Sequence, residues 1–211
     1  MGDGRLLALL TARIAGDAVR EADRIRGAVD GFAVGADLLL GPGPGVVGAL
    51  ARIGEVTTLF AIHGTPDVVG RAAGRLAEYG ARRIAVHALV EEGAMEAAAT
   101  AAAASGATIV AASLDSGIDD ARAAALGLGR SRGAVVSRLA KRARAAGASG
   151  VLATLADLGV VAQAAPELER VAIGISSLAA IDEARQRGAD LIVAPSALVG
   201  GIATAPSGVS E

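Results

Sequence analysis

The two histidines of the chain are the side chains best suited to proton transfer. His63 follows the apolar run Val56–Ile62, and His87 ends the apolar run Arg83–His87. An imidazole titrates near neutral pH and therefore serves well as a general acid or base. We predict that His63 and His87 are catalytic residues and that one or the other moves a proton. The alternative for His63 is a loop histidine that only caps the turn before Pro66.

Polar side chains also follow the other apolar runs, and most of them are uncharged hydroxyls. If the runs are parallel strands of a barrel, their ends and the loops that follow form the ligand site. We predict a largely neutral pocket with an apolar floor of Leu10, Ala33, Leu59 and Ala61. The remaining candidates for substrate binding lie at its rim and in its loops: Thr11, Arg13, Asp67, Ser113, Thr154, Ser176 and Ser196.

Charged groups near this rim have two interpretations each. Arg13 is the nearest cation for a carboxylate ligand, and a solvated loop arginine is the alternative. Asp67 is either a site residue or an acid favoured at a helix start by the helix dipole. Arg130 and Arg132 belong to a glycine-rich segment that we expect to be a flexible loop over the mouth, where they could cover a bound acid.

Eight short apolar runs separated by helical patterns would position these residues. The runs are continuously apolar, which is typical of strands buried on both faces. The predicted strands are Leu6–Leu10, Gly31–Val34, Val56–Ile62, Arg83–His87, Thr108–Ala112, Gly150–Leu155, Val171–Ile175 and Asp190–Ala194. The predicted helices are Asp17–Val29, Val46–Ile53, Pro66–Tyr79, Glu91–Ser105, Ile118–Leu126, Ala134–Ala146 and Ser177–Gln186, with only a short acidic stretch near Pro166–Arg170 before the seventh strand.

Repeated alternation of strands and helices predicts parallel pairing, and eight such units favour a single-domain (β/α)8 TIM barrel. Gly80, Gly106, Gly147 and Gly188 stand where left-handed helix caps are expected. An open doubly wound sheet is the alternative, and no G-x-G-x-x-G follows the first strand to support it. We assign residues 1–198 to the barrel and residues 199–211 to an irregular tail, so the last helix is either missing or replaced by other segments.

Composition excludes several classes of partner. Aromatic residues make up 1% of the chain and the net charge is −2, so we expect no nucleic-acid partner. The chain has no cysteine, which excludes disulfides and zinc–thiolate sites. No apolar run is long enough to cross a membrane and no leader pattern opens the sequence, so we expect a cytoplasmic protein without a membrane partner.

Several segments in order resemble the orotidine 5'-phosphate decarboxylase superfamily. The segment LLALL is similar to the first strand of that family, and FAVGADLLLGPGPG is similar to its second strand and following turn. TTLFAIHGTPDVV resembles its D-x-K-x-H-D signature, RIAVHA its fourth strand and GADLIVAPSAL its eighth. The resemblance implies a barrel that dimerises through its mouths. It also gives His87 an alternative role as a wall residue of the pocket.

The resemblance also shows which charges this chain lacks. The family decarboxylates with an array of Asp and Lys side chains at its strand ends. Leu10 stands at the position of the first Asp, Ala33 at a Lys, and Leu59, Ala61 and Gly64 at the D-x-K-x-x-D triplet. Ser196 replaces the phosphate-binding Arg, and the segment ending at Ser176 replaces a P-G-I-R motif. We therefore expect no orotidylate decarboxylation, no phosphorylated ligand, no metal and no cofactor.

Three functions are compatible with this pattern. The first is an enzyme of specialised metabolism that cyclises, isomerises or eliminates a small non-phosphorylated molecule, with the rim histidines moving a proton. The second is a non-catalytic pseudoenzyme that acts as a dimeric binding or partner subunit. The third is an engineered barrel, although the irregular loops count against ideal design.

Overall fold

The computed structural model describes residues 4–204, and eight parallel strands close into a barrel in chain order. The strands are β1 (Arg5–Leu10), β2 (Gly31–Val34), β3 (Glu55–Ile62), β4 (Arg83–His87), β5 (Thr108–Ala112), β6 (Gly150–Thr154), β7 (Glu169–Ile173) and β8 (Leu191–Pro195). The helices are α1 (Ala15–Ile25), α2 (Ala36–Leu40), α3 (Gly45–Ala51), α4 (Pro66–Glu78), α5 (Glu92–Ala103), α6 (Asp120–Ala125), α7 (Arg132–Ala145), α8 (Leu158–Ala164), α9 (Leu178–Gln186) and α10 (Ser196–Thr204).

The predicted TIM barrel is confirmed, and the open sheet is excluded because β1 pairs with β8 as well as with β2. The four glycines predicted to cap helices all adopt positive φ, between 72° and 97°. Each lies between a helix and the next strand, and glycine is favoured in this left-handed conformation because it has no Cβ.

Three helices were not predicted from the sequence, and the first of them is α2, a five-residue helix directly after β2. The chain between β6 and β7 forms a short 3-10 turn and then α8, where the sequence indicated only an acidic stretch. The helix after β8 is present as α10, so residue 199 does not begin an irregular tail. Helix propensity is weak there because Gly200 and Gly201 lie in its middle, but α10 packs on α1, β1 and β8. The predicted tail from residue 205 onward lies outside the described residues.

Side chains alternate along each strand between two separate apolar clusters. The larger cluster fills the layer between the strands and the helices. The smaller cluster fills the barrel interior and includes Leu7, Ala33, Ala85, Val110 and Leu152. Successive residues of a strand point to opposite faces, so strand parity decides which residues reach the interior.

Four charged side chains close the N-terminal end of the barrel, and we call them the basal ion cluster: Arg5, Glu55, Arg83 and Glu169. Arg83 lies 2.7 Å from Glu169 and 3.0 Å from Glu55, and Arg5 lies 3.3 Å from each of the two carboxylates. Gly31 is in register with Glu55 across the sheet, and a Cβ at Gly31 would come within 2.8 Å of the Glu55 carbonyl oxygen. A side chain at Gly31 would therefore collide with the backbone of the strand that carries Glu55.

Among the described residues, no helix is both long enough and apolar enough to traverse a lipid bilayer.

Candidate active site at the barrel mouth

The predicted histidine pair is brought together at the C-terminal end of the barrel. His63 follows β3 and His87 ends β4, and these two strands pair in parallel. The ring centroids lie 6.0 Å apart with an angle of 73° between the ring planes. His63 is exposed and His87 is half-buried. Both rings are close enough to contact neighbouring atoms of one small molecule.

A tight turn holds the ring of His87. The backbone N–H of Leu89 donates a hydrogen bond to Nδ1 of His87 over 3.2 Å, and the N–H of Val90 donates to the His87 carbonyl over 3.1 Å. Burial lowers the pKa of His87 below its usual 6.5, and the nearby His63 lowers it further, while Asp115 acts in the opposite direction. The lowered pKa therefore favours the neutral form of His87 at pH 7.

The floor of the mouth is apolar, with one change from the predicted set. Ala33, Leu59 and Ala61 belong to the interior cluster, as expected from the sequence. Leu10 does not, because it is 3% exposed and packs in the outer layer against the helices. The interior side chain at this end of β1 is Leu9, which sequence reasoning missed. The run LLALL has no polar residue to indicate which of its faces is internal.

Three of the predicted hydroxyls already have partners within the protein. Ser113 is 7% exposed and donates to the Leu152 carbonyl over 2.8 Å. Thr154 donates to Asp157 over 2.7 Å. Ser196 is buried and bonds to Glu21 of α1, so it points away from the mouth. Ser196 is therefore not placed to bind a ligand in the mouth, because a side chain from α1 already uses its hydroxyl.

Arg132 binds the protein itself and does not cover the mouth as a mobile cation. Its guanidinium forms a bidentate ion pair with Asp157, with distances of 3.1 and 2.5 Å. The same group donates to the carbonyl oxygens of Leu114, Asp115 and Ile118. The expectation of a ligand-covering Arg132 is therefore wrong, since this side chain connects the loop after β5 to the end of β6.

The remaining candidates lie around the rim. Thr11, Arg13 and Ser176 are exposed, and Arg13 makes no ion pair with any other described residue. Arg13 lines a cavity of 460 Å³ with Asp37 and Leu40. Asp67 instead pairs with Arg71 on the exposed side of α4, which supports its interpretation as an ordinary helix acid.

Cavities alone do not identify the site. One cavity, of 780 Å³, is a groove between α4 and α5 on the outside of the barrel, and neither histidine lines it. A cavity of 210 Å³ does lie at the mouth, where Leu9, Thr11 and Asp37 contribute to its lining. Leu10 also lines this cavity, although it belongs to the outer layer. We place the candidate site at the mouth because its chemistry, and not its volume, distinguishes it.

Between the basal ion cluster and the rim, no interior strand position of residues 4–204 holds Lys, Arg, Asp or Glu. The polar interior side chains at these levels are Thr57, His87 and Thr154. Across the same residues, no three His, Asp or Glu side chains are grouped closely enough to hold a metal ion. The interior of the mouth therefore offers imidazoles and a small number of hydroxyls to a ligand, and charged side chains such as Arg13 and Asp37 lie on its rim.

Comparison with known proteins identifies the family. The model of the orotidine 5'-phosphate decarboxylase / HUMPS family matches residues 10–201. The chain belongs to this family. An orotidine 5'-phosphate decarboxylase of Alkalilimnicola ehrlichii is 33% identical over 164 residues, which cover 76% of this chain and 70% of that protein. One of Anaeromyxobacter sp. (strain K) is 32% identical over 157 residues, covering 74% of this chain and 65% of that protein.

Solved structures of other proteins share the fold. The orotidine 5'-phosphate decarboxylase of Lactobacillus acidophilus matches with a TM-score of 0.79 and 21% identity, covering 94% of this chain and 97% of that one. An uncharacterized conserved protein from Geobacillus kaustophilus matches with a TM-score of 0.79 and 22% identity, covering 92% of each chain. At these identities the structural matches establish the barrel architecture alone.

Proposed function

We propose that this member of the orotidine 5'-phosphate decarboxylase family has lost decarboxylation and catalyses a proton-transfer reaction on a small non-phosphorylated molecule. The reaction class is cyclisation, isomerisation or elimination in specialised metabolism. His63 and His87 move the proton, and Leu9, Leu59 and Ala61 hold the substrate against an apolar floor, beneath which Ala33 is buried.

The observation that carries the proposal is the uncharged interior above the basal ion cluster. Decarboxylation in this family, as the sequence resemblance implies, relies on Asp and Lys at the strand ends. This chain has apolar side chains at Leu9, Ala33, Leu59 and Ala61. Removal of a single charge that stabilises a transition state costs about 10²–10³ in rate. Replacement of the whole array leaves the carbanion without a nearby cation.

The absence of the phosphate-binding arginine supports the proposal that the substrate carries no phosphate. Ser196 stands where the resemblance places the phosphate-binding arginine, and its hydroxyl bonds to Glu21. A bidentate arginine is the strong component of a phosphate site, and a hydroxyl does not replace its charge. Arg13, at the rim, forms no ion pair with another described residue, and we assign it to a carboxylate of the substrate.

Two assays test the proposal. Purified protein mixed with orotidylate should give no absorbance change above buffer. Incubation with a metabolite extract should change signals in mass spectrometry that the His63→Ala/His87→Ala double variant leaves unchanged. Turnover of orotidylate, or identical metabolite changes with the wild-type and double-variant proteins, would disprove the proposal.

A non-catalytic dimer is the second candidate, and exposed apolar side chains favour it. Among the residues whose burial the structure describes, the exposed large hydrophobic ones all lie in βα connections, near strand ends or in the first turn of the next helix: Ile14, Leu40, Phe60, Val68, Leu89, Leu126 and Leu178. We call this set the apolar rim. An isologous contact needs one self-complementary surface, so a second copy of this chain is its proposed occupant.

Sedimentation of the wild type and of Leu40→Asp tests this candidate. Leu40 is 70% exposed, and a carboxylate there should dissociate a dimer formed through the rim. Gln186→Asp adds the same charge at the other end of the barrel and should leave the dimer intact. A wild-type protein that stays monomeric at high concentration would exclude this arrangement.

A further inference from the structure

The hydrogen bond to His87 fixes which ring nitrogen carries the proton. A neutral imidazole has one N–H and one unprotonated nitrogen, and only the unprotonated nitrogen accepts a hydrogen bond. Nδ1 accepts the N–H of Leu89 over 3.2 Å, so Nδ1 is the unprotonated nitrogen. The proton of the neutral ring therefore sits on Nε2.

This arrangement gives His87 the chemistry of a hydrogen-bond donor. To act as a base through Nε2, the neutral ring would need its proton on Nδ1. That proton would point at the N–H of Leu89, and two donors would then face each other without an acceptor. The turn that positions this N–H also bonds the His87 carbonyl to Val90, so the local backbone opposes that tautomer. His87 occupies the same strand parity as Ala85 of the interior cluster, which directs its ring over the mouth.

His63 has the complementary freedom. Its side chain is exposed, and no residue of the described part of the chain forms a hydrogen bond with its ring nitrogens. Its ring contact with His87, at 6.0 Å between centroids, keeps it beside the same substrate position. His63 can therefore present an unprotonated nitrogen without breaking any contact of the backbone.

We propose that the site acts on carbonyl compounds that carry a hydrogen on the adjacent carbon. His87 donates its Nε2–H to the carbonyl oxygen, and His63 removes the proton from the adjacent carbon. The C–H bond breaks, its electron pair forms the carbon–carbon double bond of an enolate, and the carbonyl oxygen takes the negative charge that His87 stabilises. Return of the proton from His63 to the same carbon regenerates the carbonyl compound. When that carbon also bears a carbon–carbon double bond, the enolate extends to the far carbon of that bond, and protonation there shifts the double bond and gives an isomer. This inference rests on the proposed function and names its substrate class.

His87 thus stabilises the negatively charged oxygen, and His63 removes the proton. A neutral donor suits the first role, because it offers a hydrogen bond without giving up its proton to the ligand. A general base contributes about 10²–10⁴ in rate, so the two histidines should respond differently to replacement by glutamine. Glutamine retains a neutral N–H donor and has no basic nitrogen.

The first test is the tautomer itself. Long-range proton–nitrogen correlation spectra of ¹⁵N-histidine-labelled protein at neutral pH should show His87 with a protonated Nε2 and an unprotonated Nδ1. His63→Gln assigns the signals, since only one histidine remains. A protonated Nδ1 on neutral His87 would overturn the inference whatever the enzyme turns over.

The second test uses cyclohexanone as the carbonyl probe in deuterated water, with hydrogen exchange at the adjacent carbon followed by NMR. The wild type should exceed the His63→Gln/His87→Gln double variant by at least about tenfold. His63→Gln should lose almost all of this excess, whereas His87→Gln should keep more of it than His87→Ala. Equal exchange by the wild type and the double variant, or equal loss in His87→Gln and His87→Ala, would overturn the carbonyl assignment.

The failure of this inference differs from failure of the proposed function. If the metabolite comparison finds a substrate but His87 carries its proton on Nδ1, the proposed function stands. The assignment of His87 as donor and His63 as base is then wrong. If no metabolite changes while the tautomer and ketone exchange are as expected, the site chemistry stands and the metabolic role is wrong. Thermal melting of each variant verifies that lost exchange is not lost folding.

Discussion

At the residue scale, burial and a backbone bond together define His87. The half-buried ring is less easily charged than a solvated imidazole because the low-polarity surroundings disfavour the cation. The Leu89 amide then selects one neutral tautomer. The result is a side chain with a defined donor and a defined acceptor, which few surface histidines have.

The lowered pKa of His87 predicts how stability depends on pH. The unfolded chain takes up a proton near pH 6.5, and folded His87 does so only at lower pH, so the free energy of unfolding falls as the pH is lowered through 6.5. It levels off below the folded pKa, where both states are protonated. Urea unfolding from about pH 8 to about pH 5 should show this loss in the wild type and a smaller loss in His87→Gln.

A matched NMR titration tests the origin of the shift. His63→Gln removes the second cause of the lowered pKa, so the pKa of His87 should rise in that variant. It should stay below 6.5, because burial is the larger cause and remains. A pKa of His87 that does not change in His63→Gln would contradict the electrostatic coupling of the pair.

Sequence reasoning located the histidines but not the partners of the hydroxyls. His63 and His87 were predictable because each follows a strand-like run, and strand ends of a barrel meet at one edge. Ser196 was assigned to the site because it also follows a strand, but its partner Glu21 is 175 residues away in sequence. A contact between residues so far apart in the sequence leaves no local sequence pattern from which it could be predicted.

At the element scale, Arg132 of α7 organises the loop after β5. One guanidinium can donate hydrogen bonds to a carboxylate and to several carbonyl oxygens at once, whereas a lysine ammonium cannot reach all of them. Asp157 is 3% exposed and would be an unpaired buried charge without it. The loop that carries Asp115 towards His87 is therefore fixed by an arginine from a distant helix.

Replacement of Arg132 should loosen this loop. Arg132→Lys keeps a positive charge near Asp157 but loses the fork that reaches the carbonyls of Leu114, Asp115 and Ile118. Amide hydrogen exchange of residues 114–118 should become faster while exchange in the barrel strands stays unchanged. Arg130→Lys is the control, and equal exchange in both variants would mean that the loop is ordered by other contacts.

The order of helices and strands was largely predictable from the sequence, and the errors in that prediction have physical causes. Apolar runs and glycine caps repeat in the sequence with the spacing of βα units, so β2, β4 and β5 were predicted with the bounds that the structure gives them. The helix α8 was missed because it is short and directly follows a 3-10 turn. The helix α10 was missed because packing on α1 and β8 outweighs its two internal glycines.

At the scale of the whole molecule, charge and reactivity occupy opposite ends of the barrel. The basal ion cluster joins β1, β3, β4 and β7 across the N-terminal opening. The side chain of Arg83 is 9% exposed, so its two carboxylate partners compensate a charge that water does not reach well. The interior of the mouth, in contrast, is lined mainly by apolar side chains, with the two imidazoles at its edge.

Removal of one carboxylate from the cluster should destabilise the whole barrel. Glu169→Ala leaves Arg83 with only Glu55, and we expect a loss of about 2 kcal/mol in the free energy of unfolding, because breaking a largely buried pair strands a charge. Glu167→Ala breaks an exposed pair with Arg144 and should have little effect. Urea unfolding of both variants makes the comparison, and equal stabilities would argue against a structural role of the cluster.

The separation of the basal ion cluster from the mouth has an evolutionary consequence. Substitutions around His63 and His87 leave the salt bridges of Arg83 untouched, so new reactivity can be explored there at little thermodynamic risk. A lineage could exchange its entire catalytic apparatus and still inherit a well-folded cylinder. The same property recommends this protein as a starting point for directed evolution, with libraries confined to the mouth.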